Sequence, residues 1–145
     1  MLVMNVLGTT YMEPLGSPFD AVEAILEKEK GNYNLSLLDV HAEATSEKAA
    51  IAYYFDGKIN AIFGTHTHVQ TNDAKILPRG TGFITDLGMC GPENSILGVR
   101  SDIIIDKLRL HLPKKFEYAV GNIKAHGAVF TIENGKCVKA EAVAF

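Results

Sequence analysis

The sequence predicts an α/β fold, a layered β-sandwich flanked by helices. Three observations predict it. The first 65 residues alternate short apolar runs of strand character with helix-like stretches. The second half turns strand-rich and ends in a hairpin signal at Glu133-Asn134-Gly135-Lys136. The 145 residues, 47% apolar and 21% charged, suffice for a single domain over 1–145 with its own core.

Each element has a local reason. Leu2–Leu7 is an apolar run short enough for a buried strand. Ser17-Pro18-Phe19-Asp20 starts a helix, with Ser17 as N-cap, Pro18 at the first position and Asp20 at the third. Val22, Ile25 and Leu26 share its inner face, and Gly31 closes it. Leu35–Val40 is a second strand. A helix from Thr45 or Ser46 to Phe55 turns Ile51 and Tyr54 inward and leaves through Asp56-Gly57. Ile59–Gly64 is a third strand. Ala74–Leu77 and Gly82–Thr85 pair across Pro78-Arg79-Gly80. Ser101–Leu110 is a helix with Ile104, Leu108 and Ile105 inward. Ala128–Ile132 and Cys137–Val143 form the final hairpin, because Asn-Gly suits a type I′ turn.

Composition excludes several classes. Lys+Arg 14 against Asp+Glu 17 gives net −3, which lacks the basic footprint of a protein that grips nucleic-acid duplexes. No apolar run reaches membrane-spanning length. Met1–Leu7 has no basic flank and no A-x-A site, so no signal peptide is expected. Cys90 and Cys137 form no C-x-x-C, so two thiols in a reducing cytoplasm are expected. Cys90 has no assigned histidine partner and is not read as a nucleophile.

Three of the five histidines follow strands. His41 comes directly after Leu35–Val40, and His66 and His68 come just after Ile59–Gly64. Ligands of open α/β sheets collect beyond the carboxyl ends of strands, and imidazole suits zinc, copper, iron and nickel. Two residues apart in extended backbone, His66 and His68 point to one side. Asp39 and Glu43 flank His41 and are placed to orient it; otherwise Glu43 and Thr45 cap the next helix. Solvated histidines at strand ends are the alternative to a metal site. Gly88 and Gly91, in the loop after Thr85, let backbone approach a ligand or shape a tight turn. His111 and His126 read as ordinary surface or strand residues.

Three segments carry a resemblance: Asp39-Val40-His41-Ala42-Glu43-Ala44-Thr45-Ser46-Glu47-Lys48, Gly64-Thr65-His66-Thr67-His68-Val69 and Thr85-Asp86-Leu87-Gly88-Met89-Cys90-Gly91-Pro92. In that order and spacing they resemble the bacterial YmdB-like metallophosphoesterases of the calcineurin-like superfamily. The resemblance spans the whole chain and implies a metallophosphoesterase-like sandwich with a two-metal rim. It implies a phosphodiesterase, with 2′,3′-cyclic nucleotides as substrates, that hydrolyses through a metal-activated hydroxide. It makes His41 and His66 ligands of one divalent ion (Mn, Fe or Zn) and His68 a ligand of a second.

Family members are about twice as long. Their first half carries an aspartate, a bridging glutamate, asparagines and the acid histidine, and none of those motifs precedes the matched segments here. The chain therefore resembles the C-terminal half of such a domain, to be completed by a homodimer mate or a separate N-terminal half. Asp39, Glu43 and Asp86 are the chain's own carboxylates near the motifs. The alternative function is a non-catalytic oligomerisation or binding module that keeps the fold and an incomplete metal site.

Overall fold

The computed structural model describes residues 1–145. Eleven elements follow in order: β1 (Leu2–Leu7), α1 (Pro18–Lys28), β2 (Ser36–His41), α2 (Thr45–Tyr54), β3 (Ala61–Thr65), β4 (Lys75–Ile76), β5 (Gly82–Ile84), β6 (Cys90–Pro92), α3 (Ser101–Leu110), β7 (Ile123–Glu133) and β8 (Lys136–Ala144). A five-stranded sheet runs β1-β2-β3-β5-β4, and a three-stranded sheet runs β6-β7-β8. The β1–β2, β2–β3 and β3–β5 pairs are parallel. The second sheet is antiparallel. The predicted two sheets with flanking helices are thus present, and no helix is long and apolar enough to cross a membrane.

The core explains the pattern. Ser36, Leu38 and Val40 of β2 are buried, while Leu37, Asp39 and His41 alternate onto the other face. Met4, Val6, Leu38, Val40 and Ile62 pack against Val22 of α1 and Ile51, Ala52 and Phe55 of α2. At the start of α1 the Ser17 hydroxyl accepts the Asp20 N–H at 3.3 Å, as the sequence predicts. The second sheet meets the first at β5, where Gly82 lies under Phe130 and Cys137; a Cβ there would be 2.5 Å from the Phe130 ring and 2.7 Å from Cys137 Sγ. Asn134 and Gly135, at φ 49° and 79°, turn β7 into β8. At the opposite margin β1 is an edge strand whose outward Val3 is 58% exposed.

Four expectations are corrected. Helix α3 buries no residue: Leu108 and Ile105 are exposed and Ile104 is only half-buried. Tyr54 is exposed at the end of α2, its hydroxyl donating to Glu23, and Phe55 takes the buried place. The α2 N-cap is Ala44, with no side-chain cap, so Glu43 and Thr45 do not serve as one. The glycine-rich segment after Thr85 also forms a short strand, β6, against β7.

Gly64 yields a test. A Cβ there would overlap the Thr85 carbonyl oxygen and lie 2.7 Å from Lys48 Cδ. Gly64→Ala is expected to destabilise the chain by about 3 kcal/mol. Gly16→Ala, where a Cβ would meet nothing within 4 Å, is expected to change stability by under about 0.5 kcal/mol. Denaturant unfolding of the two variants makes the comparison.

Candidate functional site

The carboxyl ends of β2 and β3 lie side by side, with His41 opposite Thr65. The Thr65 hydroxyl donates to Asp39 Oδ1 at 2.8 Å. Its proton is then spent, so at 2.9 Å it accepts from His41 Nδ1, which fixes that ring's tautomer. In the neutral ring His41 Nε2 is then the lone-pair nitrogen, and it faces His66 Nδ1 at 3.2 Å. The two rings stand nearly perpendicular, with centroids 4.9 Å apart. His66 Nε2 lies 3.1 Å from Glu43 Oε2. Asn5 donates to the other Asp39 oxygen at 2.8 Å. An unbroken polar chain therefore runs Asn5, Asp39, Thr65, His41, His66, Glu43.

The nitrogen separation bears on a metal. Two ligands at ~2.1 Å from one ion, at angles of about 90–110°, sit roughly 3.0–3.4 Å apart, and the 3.2 Å between His41 Nε2 and His66 Nδ1 lies in that range. The Thr65–Asp39 support behind His41 is the kind that orients a ligating imidazole. No third histidine, cysteine, aspartate or glutamate converges with the pair as a ligand set. The chain's own residues thus fit two positions of a four- to six-coordinate ion.

His68 is placed differently. His66 and His68 have φ of 113° and 64°, so the segment is not extended and the alternation expected of a strand does not apply. His68 shares no hydrogen bond with His41 or His66. It lines a cavity of about 400 Å³ together with Met89, Leu97 and His126. His126 is accordingly a half-buried cavity residue on β7, and His111 is the left-handed residue that ends α3.

The loop holding these histidines is fastened from below. Lys48 of α2 and Asp86 form an ion pair at 2.8 Å with both side chains 1% exposed. Asp86 Oδ2 also accepts the Thr67 N–H at 3.0 Å, and Oδ1 accepts the Gly88 N–H at 2.9 Å. Asp86 is therefore committed to the loop and offers no carboxylate to the rim. Burial opposes the Asp86 charge, yet the Lys48 bond and the two N–H groups outweigh it and hold its carboxyl below the ordinary value. Asp73 behaves alike: burial opposes it, and bonds from Thr71 and Thr85 lower it. On the other flank Glu47 accepts from Thr9 N, Thr9 Oγ1 and Thr10 N at 2.8, 3.0 and 3.2 Å, pinning the segment after β1. Sequence reasoning gave Glu47 and Lys48 no role; their signal was two charges inside a motif on a short helix.

Comparison with known proteins follows the same outline. A family model described as YmdB-like protein matches residues 1–143. A 2′,3′-cyclic-nucleotide 2′-phosphodiesterase of Bacillus subtilis is 41% identical over 145 residues, which is 99% of this chain and 55% of that protein. The crystal structure of a hypothetical protein from Thermus thermophilus superposes with a TM-score of 0.93 at 40% identity, covering 99% of this chain and 56% of that one. The crystal structure of a novel phosphatase from Mycoplasma pneumoniae gives 0.88 at 35% identity, over 99% and 52%. The chain spans about half the length of the curated relatives it matches.

The buried pair sets two expectations. Lys48→Met leaves the Asp86 charge without its partner and is expected to cost about 3–5 kcal/mol in denaturant unfolding. The lowered Asp86 carboxyl contributes stability that is complete above the unfolded value near ~3.9 and is lost as pH falls through its depressed folded value. Asp86→Asn is therefore expected to flatten the acid limb of the stability–pH curve, read as melting temperature in steps down to about pH 2.

Proposed function

The chain belongs to the YmdB-like family, and from that premise we propose that it forms the C-terminal, histidine-bearing part of a phosphoesterase site. His41 and His66 hold one divalent ion (Mn, Fe or Zn) and His68 contributes to a second. The substrate class is a phosphodiester, 2′,3′-cyclic nucleotides included, in keeping with the name of the Bacillus subtilis relative. The observation that carries this reading is the pair of facing imidazole nitrogens at 3.2 Å at the carboxyl ends of two parallel strands. Bound divalent ions supply Lewis acidity toward the phosphoryl oxygens and a nucleophile drawn from water. The protein's part is orientation: Thr65 and Asp39 hold the His41 ring, and Glu43 holds the His66 ring.

The remaining ligands and the acid come from the other half of the domain, as a separate chain, a preceding segment or a homodimer mate. The free cysteines, one exposed and one buried, accord with a cytoplasmic setting. A second reading, a non-catalytic binding or oligomerisation module with a single weak ion, is favoured by one observation: no third ligand side chain joins the pair.

Calorimetric titration with Mn²⁺ tests the ligands. Neutral imidazole is the binding form, so affinity is expected to fall from about pH 8 to about pH 5, and His66→Ala is expected to weaken it at least tenfold. Equal affinity at the two pH values, or in the variant, removes the histidine assignment. Hydrolysis of bis(4-nitrophenyl) phosphate is expected to be weak with the Mn²⁺-loaded chain alone and to rise when the N-terminal half of a relative is added. No hydrolysis in the presence of that half leaves the binding-module reading.

A further inference from the structure

The cavity beside His68 is built with a definite polarity. Gln70, two residues on from His68, donates both of its amide bonds from Nε2, to Gly127 O at 2.9 Å and Val143 O at 3.0 Å. Its Oε1 therefore carries no protein partner, and since no buried side-chain polar atom is unsatisfied, that oxygen is accessible. His126 lies 3.1 Å from the Met89 carbonyl through Nδ1. A carbonyl only accepts, so Nδ1 carries the proton and Nε2 of the neutral ring is an acceptor. Glu93 adds carboxylate oxygens and lies 3.8 Å from Lys124, the lysine of the lining. Gly88, at φ 85°, lets Gln70 and His126 approach; a Cβ there would be 2.9 Å from Gln70 and 3.0 Å from His126.

Fixed acceptors suit N–H donors. The apolar part of the lining is Met89, Pro92 and Leu97, with Val69 at the mouth. A thioether beside aliphatic side chains favours an aromatic face. The volume of about 400 Å³ falls within the span of small-molecule sites. We propose that this cavity is the nucleobase subsite of the phosphoesterase site, taking an amino-bearing base with its edge toward Gln70 and His126 and its face against Met89. The proposal rests on the phosphoesterase reading for its place in a reaction; His68, which lines the cavity, lies two residues beyond His66 of the rim.

The test is equilibrium binding to the metal-free 145-residue chain, followed by the methyl NMR signal of Met89. Adenosine is expected to move that signal saturably at millimolar concentration. Purine riboside, which lacks the amino group and carries no N–H on its base edge, is expected to bind at least fivefold more weakly, and inorganic phosphate not to move the signal. Met89→Ala and Leu97→Ser are each expected to weaken adenosine binding about fivefold, read from backbone amide shifts around Gln70. An unmoved Met89 signal at saturating adenosine, or equal binding of purine riboside, overturns the proposal. Hydrolysis of bis(4-nitrophenyl) phosphate, which has no base, separates the two readings. Adenosine binding without hydrolysis by the completed enzyme keeps the base-binding cavity but overturns its assignment as a subsite of a phosphoesterase; hydrolysis without adenosine binding overturns the cavity assignment alone.

Discussion

The Lys48–Asp86 ion pair is the constraint from which the site's geometry follows. Two opposite charges lie fully buried where helix α2 passes beneath the carboxyl ends of β3 and β5. A buried pair recovers its desolvation cost only when every remaining donor and acceptor is satisfied, and the Thr67 and Gly88 N–H groups do that for Asp86. One carboxylate thereby joins a helix to two loops. Left-handed backbone at His66 and His68 is uncommon outside glycine and persists where the surroundings over-determine it. The Thr67 amide between those two histidines is what Asp86 grips.

Glycine makes the constraint possible. Any side chain at Gly64 would occupy the space of the Thr85 carbonyl and the Lys48 stem. The strand can therefore end against the ion pair at van der Waals distance, and the rim above inherits that position. Glu47, one residue before Lys48, fastens the segment after β1 in the same way. Two consecutive charges on one short helix thus serve opposite sides of the rim.

Much of this was legible in the sequence, for physical reasons that differ by region. The strands and helices of the first 65 residues were readable because burial on one face imposes period 2 on β2 and a capped apolar face on α1. His41 and His66 were readable as neighbours because parallel strands bring their carboxyl ends together. The turn at Thr67 was not, since nothing in T-H-T-H-V marks left-handed backbone at two histidines; the cause lies in Asp86, 19 residues on. Helix α3 misled because its apolar spacing is regular while no residue of its apolar face is buried within this chain. His126 was passed over for the same kind of reason: its significance comes from Met89 and Gln70, which sequence places far away.

The edge position of β1 has a consequence for how the sheet can be extended. Its outer backbone groups have no neighbouring strand, and Val3 and Leu7 present apolar surface beside them. Natural proteins usually blunt such an edge with charge, proline or a bulge, and β1, reading LVMNVL, has none of these. A further strand, from a preceding segment or another chain, can add to this edge by main-chain pairing.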